Sequence, residues 1–266
     1  MRRTIVAVTA VMVGRPSPAQ AADKFEIQVY QGEHNRPWQP GLELHTNYTI
    51  VGHKQPAYEG ETPPHRALRM TLEPSLGITE WLEIGGYLQG MISPYGGTQF
   101  GGWKLRAKFV VPERAELPVV LGLNVEVGRV PLRVEEDGWA NEFRPILGKR
   151  FGRVGVTLNP LFGFALTGSE AFKPVFEPAG KVKVITDLGF ALGAEYYTSL
   201  GRFDQGFLPL SKQEHLAFVA FDLEPPPKEK KDDDESEWEL NAGIGRSLTD
   251  ATPQAWVGKI ILGHSF

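Results

Sequence analysis

Two stretches of this chain place ionisable side chains at every second position, the spacing that puts them on one face of an extended strand. In GLELHTNYTIVG, Glu43, His45 and Asn47 share a face. Carboxylate, imidazole and amide in that order have the make-up of an orienting group, a general base and a polar helper. Such chemistry also needs a nucleophile about 3 Å from the base. That stretch holds no serine, and the chain has no G-x-S-x-G motif. A lipid-modifying hydrolase is therefore the remote reading, and His45 as a hydrogen-bonded inward residue the plain one. In GGWKLRAKFVV, Lys104, Arg106 and Lys108 form a cationic strip that would draw anions unless carboxylates such as Glu83 or Glu126 neutralise it. His34 and His53 have no second ligand at metal spacing. No catalytic residue, cofactor or metal site is assigned from the sequence.

The elements that must position these residues are alternating strands. Leu42, Leu44, Thr46, Tyr48 and Ile50 oppose the Glu43, His45, Asn47 face, and Trp103, Leu105, Ala107 and Phe109 oppose the three cations. LPVVLGLNVEVG and VGVTLNPLFGFAL repeat the pattern at about the 9–11 residues that a tilted strand needs to cross a bilayer. Further strands are expected at 66–75, 82–91, 139–149, 172–184, 188–199, 213–224 and 238–248, with uneven alternation in 172–184 and 213–224. The last, AWVGKIILGHSF, carries Trp256, Ile260, Leu262 and Phe266 on one parity and Lys259 on the other.

Composition narrows the class. Thirty glycines and 21 prolines in 266 residues suit many strands and turns. A formal charge of -4 with no basic stripe excludes a nucleic-acid partner. The absence of cysteine rules out disulfides and thiolate metal sites in this chain. Arg2 and Arg3 before the apolar run Ile5–Val13, then PAQAAD, read as a signal peptide over 1–21 with cleavage after Ala21. Losing Arg2, Arg3 and Arg15 takes the formal charge from -4 to about -7. Residues 22–40 are expected to form an N-terminal extension or extra strand, because FEIQVYQ alternates on Phe25, Ile27 and Val29. The charged run Lys228–Glu237 reads as solvated loop, with no EF-hand spacing among Asp232, Asp233 and Asp234.

Residues 41–266 then give about twelve strands, an even number as single-chain outer-membrane barrels have. If the last strand runs down to the periplasmic side, the connections near 76–81, 112–116, 150–152 and 184–188 share that side and are short. Those at 52–65, 92–101, 129–138 and 200–212 lie outside and are longer, whereas 225–237, long on the periplasmic side, and 249–253, a short external hairpin, depart from the pattern. A soluble sandwich also alternates, but long apolar strips with aromatic ends fit a face toward acyl chains, where closure removes the unpaired edge. The expected fold is an all-β antiparallel transmembrane barrel of about twelve strands in the outer membrane, with outer-membrane lipids as its surroundings. Charge on a lipid face costs about 2–4 kcal/mol at the midplane. Glu43, His45, Asn47, Arg69, Glu83, Lys104, Arg106, Lys108, Glu126, Arg144 and Glu195 are accordingly assigned to the lumen. A bore of this size allows either a narrow charged passage or a side-chain network that fills it.

The ending AWVGKIILGHSF resembles the C-terminal strand that the outer-membrane assembly machinery recognises, with His264 standing where an aromatic is commoner. LRMTLEPSLGITEWLEIGGYLQG, ALGAEYYTSLG and ELNAGIGRSLTDATPQAWVGKIILGHSF resemble a family of proteobacterial outer-membrane proteins associated with the meta pathway of phenol degradation. That resemblance implies a porin-like channel for small, hydrophobic or aromatic solutes. The residues alone leave a structural or adhesive barrel with a filled lumen as the alternative.

Overall fold

The structure is a computed structural model that describes residues 23–136, 138–168, 171–223 and 238–266. The expected signal peptide at 1–21 and the charged run at 228–237 lie outside the described residues. The strand segments in chain order are β1 (Pro40–Gly52), β2 (Leu68–Thr79), β3 (Leu82–Ser93), β4 (Gly97–Val110), β5 (Val120–Arg129), β6 (Trp139–Phe151), β7 (Val154–Asn159) and β8 (Phe162–Ala165). They continue as β9 (Val175–Phe176), β10 (Ala179–Ile185), β11 (Phe190–Ser199), β12 (Gly201–Arg202), β13 (Glu214–Leu223), β14 (Trp238–Ser247) and β15 (Gln254–Ser265). Each of β7 with β8, β9 with β10 and β11 with β12 is one wall strand with a break, so the wall has twelve strands.

Neighbours in the wall are antiparallel, and the ring closes on itself. β1 pairs with β2 on one side and with β15 on the other, from Gly41↔Ser265 to Gly52↔Gln254. On the far side β6 pairs with β7 (Leu147↔Leu158) and with β8 (Ala140↔Ala165), leaving no free long edge. The break between β7 and β8 falls at Pro160 and Leu161, where proline has no N–H to give to a ladder. One end of the barrel carries Phe266 and the connections 80–81, 111–119, 152–153 and 186–189. The other carries 53–67, 94–96, 130–136, 166–168, 171–174, 203–213 and 248–253. The first is called here the terminal end and the second the loop end. The connection expected at 92–101 contracts to three residues because Gly97 takes a positive φ of 66° and starts β4 early.

Parity divides the side chains as the bilayer requires. Leu42, Leu44, Tyr48, Ile50, Leu105, Leu158, Leu192, Val219, Ile260 and Leu262 point outward and are exposed. Strands of 10–14 residues at a tilt near 45° carry this band through roughly 25–30 Å, the thickness of a hydrocarbon core. Aromatic side chains edge the band. Trp81 stacks on Phe109, and His264 packs against Trp238 and Phe266, at the terminal end. Trp103 meets Trp139 edge to face, 5.9 Å apart, toward the loop end. These are the two girdles of a membrane barrel. Trp103 lies on the outer surface, with no second sheet over it. Trp256, Ile260, Leu262 and Phe266 of the last strand are all exposed on this surface.

Leu105 is 56% exposed between two buried inward cations. Leu105→Arg should cost about 2–4 kcal/mol in urea unfolding from lipid vesicles, whereas Leu105→Phe should stay within about 1 kcal/mol. Equal stability of the two variants would remove the lipid-facing assignment.

Candidate functional site

The inward parity meets a filled interior. Of the residues assigned to the lumen, His45, Asn47, Arg69, Glu83, Lys104, Arg106, Lys108, Glu126, Arg144 and Glu195 are all buried, and Glu43 is half-buried. Lys104 is 3% and Glu126 1% exposed; side chains lining an open water-filled bore would be wet. What covers them is residues 23–36. This stretch has no regular secondary structure and runs inside the barrel from the loop end, where Lys24 pairs with Glu61, to the terminal end, where Asn35 meets Ser75 and Ser265.

The segment is held by wall side chains rather than by strand pairing. Buried backbone polar groups need partners, and several come from inward residues. Asn47 donates to the Phe25 carbonyl at 2.8 Å, Lys259 to that of Ile27 at 2.9 Å and Arg144 to that of Gln28 at 3.3 Å. The Asn159 amide takes both sides of Tyr30, accepting from its N–H at 2.8 Å and donating to its carbonyl at 3.0 Å. The Asn35 N–H donates to Glu83 at 2.6 Å. Two glycines make room. A Cβ at Gly77 would stand 2.0 Å from the Arg36 carbonyl oxygen, and one at Gly101 2.6 Å from the Phe25 ring.

Alternation in the segment matches two unlike walls. Ile27 and Val29 pack with Ala179, Tyr197, Leu216, Phe218 and Val257 of β10, β11, β13 and β15. Phe25 packs with Ala67, Met91, Val130 and Val134 near the loop end. The other parity faces charge. Glu26 lies 3.8 Å from Lys104, and the Tyr30 hydroxyl is 2.8 Å from that of Tyr87 and its ring 4.6 Å from the Arg144 guanidinium.

Charges in the wall are matched across strands. Lys104 pairs with Asp23, with Glu126 at 3.1 Å and with Glu142 at 3.3 Å. Arg106 bridges Glu73 at 2.5 Å and Glu83 at 2.6 Å, and Lys108 shares Glu83 at 3.0 Å. The three cations thus present neutralised ion pairs to the lumen in place of an open positive strip. Arg69 donates to Thr49 and lies over the Phe25 ring. A second network joins Glu195 to Lys259 at 2.5 Å and to Lys181 at 3.1 Å, with Asp222 2.5 Å from Lys181. His45 is wholly buried between the carboxylates of Glu43 and Glu73. Residues that sequence reading did not single out are Tyr87 and Asn159, which receive the segment together with the inward Glu73 and Lys259.

Breaking a buried ion pair leaves a charge uncompensated and costs about 3–5 kcal/mol, whereas exposed pairs contribute about 0–1 kcal/mol. Lys259→Met should therefore lower the unfolding free energy by several kcal/mol. Arg114→Met, which removes the exposed pair with Glu80, should leave it unchanged. Comparable behaviour of the two variants in denaturant titrations would contradict a dry, packed interior.

No family model matches this sequence, and no curated protein matches it. Among solved structures, the barrel is similar to that of an outer membrane channel from Pseudomonas putida F1, with a TM-score of 0.55 at 13% identity over 91% of this chain and 100% of that one. It is also similar to the KdgM porin, with a TM-score of 0.51 at 11% identity over 85% of this chain and 99% of that one. The fold is that of outer-membrane channel and porin barrels: a closed twelve-stranded antiparallel wall.

Proposed function

We propose that this protein is an outer-membrane channel for passive passage of small solutes, without covalent chemistry, and that residues 23–36 stop its bore. The observation that carries this reading is the way the segment is held. It contributes no strand to the wall, so it can leave or shift without opening the ladder that closes the barrel. Its attachments are side-chain hydrogen bonds of modest net strength, two apolar contacts, and the ion pairs of Asp23 with Lys104 and Lys24 with Glu61 at the loop end. The inner wall it would uncover is half charged and half apolar, a lining able to pass solutes with an apolar body and a polar group. Hydrophobic or aromatic solutes are the substrate class supported by the likeness of the strand and turn pieces to the phenol meta-pathway family. The resemblance of β15, with Trp256, Ile260 and Leu262 alternating on its outer face, to strands recognised by the outer-membrane assembly machinery supports insertion by that machinery.

A structural or adhesive barrel is the second reading, favoured by the burial of the lumen residues. Planar-bilayer recordings separate the two. The full chain should insert with little conductance, and removal of residues 23–36 should raise it at least about tenfold, because a twelve-stranded wall lies between filled eight-stranded and open sixteen-stranded ones. A shortened barrel that inserts, resists heat in detergent and still fails to conduct would make the structural reading the correct one.

A further inference from the structure

Three ionisable residues remote in sequence converge inside the barrel beside the segment. Glu26 comes from the segment, His45 from β1 and Glu73 from β2, and their ligand atoms all lie within 4.8 Å of one another. His45 Nε2 stands 3.1 Å from Glu73 Oε2 and 3.2 Å from Glu43 Oε2. Glu26 is 2% exposed, yet neither of its carboxylate oxygens has a hydrogen-bond partner, and neither does Glu43 Oε2 or His45 Nδ1. One Nε2 proton cannot satisfy two carboxylates and also serve Glu26. Buried carboxylate oxygens are costly unless paired or coordinated.

We propose that Glu26, His45 and Glu73, with Glu43 adjoining, bind a divalent transition-metal cation of the zinc type, which clips the luminal segment to β1 and β2. Metal bonds of about 2.0–2.2 Å to nitrogen and oxygen place neighbouring ligand atoms about 3 Å apart. The spacings around His45 Nε2 are of that size. An imidazole with carboxylates is a donor set for zinc and its first-row neighbours rather than for magnesium or calcium. Arg106 donates from Nε to Glu73 Oε1 at 2.5 Å, which leaves Oε2 for the cation and fixes the carboxylate's orientation. Sequence spacing could not reveal the site, because Glu43 and Glu73 come to stand opposite each other only once β1 and β2 pair, and Glu26 arrives from outside the wall.

The test uses full-length barrel purified in detergent, stripped with EDTA and titrated with Co2+ and then Zn2+. One equivalent of Co2+ should give visible d–d absorption that Zn2+ abolishes. Glu26→Gln and His45→Gln should each weaken binding about tenfold or more, and His53→Gln, in an exposed loop, should not. Glu26→Gln alters no wall strand, so it decides the matter if His45→Gln fails to fold. No saturable equivalent, or binding equally tight in Glu26→Gln, would overturn the proposal.

Discussion

Peptide N–H and C=O groups that meet acyl chains have no water to turn to, and this one constraint organises the molecule. For a chain that crosses with strands, only a ring in which every ladder is paired on both sides satisfies it, and here β1 with β15 and β6 with β7 and β8 supply the closure. Once the ring is closed, strand alternation leaves no choice about where ionisable groups go. They must be inside, within a small space and beside one another.

Charges gathered in that way have to be compensated, and the interior is accordingly a mutual arrangement of cations and carboxylates around an inserted strip of chain. Glu195 holds both Lys181 and Lys259, and Lys259 in turn holds the Ile27 carbonyl. The same side chain therefore neutralises the wall and seats the segment. Lys104 does likewise through Glu126 and Asp23. Withdrawal of the segment would take away hydrogen-bond partners without touching the wall ladders, and incoming water or solute would have to replace them.

Much of the wall was legible because the bilayer imposes a pattern with period two. Trp103, Leu105 and Phe109 against Lys104, Arg106 and Lys108 could be read directly, and β4 follows that reading. The weak alternation of 213–224 has a physical reason: Leu216 and Phe218 face inward to receive Ile27 and Val29, so at those positions both faces of β13 are apolar. The uneven stretch 172–184 contains the break between β9 and β10. Placement of 22–40 was not legible. The alternation of Phe25, Ile27 and Val29 is that of a wall strand, and nothing local distinguishes a strip paired by ladders from one gripped by Asn47, Asn159 and Lys259. The convergence of Glu26, His45 and Glu73 was hidden for the same reason, since it exists only once the segment is in the bore.

Because the chain has no cysteine of its own, single cysteines introduced in turn at residues 103–109 measure both faces of one strand. In vesicles, Leu105→Cys and Ala107→Cys should react with a lipid-soluble maleimide. Lys104→Cys, Arg106→Cys and Lys108→Cys should resist a water-soluble one in the full chain and react once residues 23–36 are removed. Reactivity without a two-residue period, or inward positions equally open to water with the segment present, would contradict a lipid-facing wall closed around its own N-terminal segment.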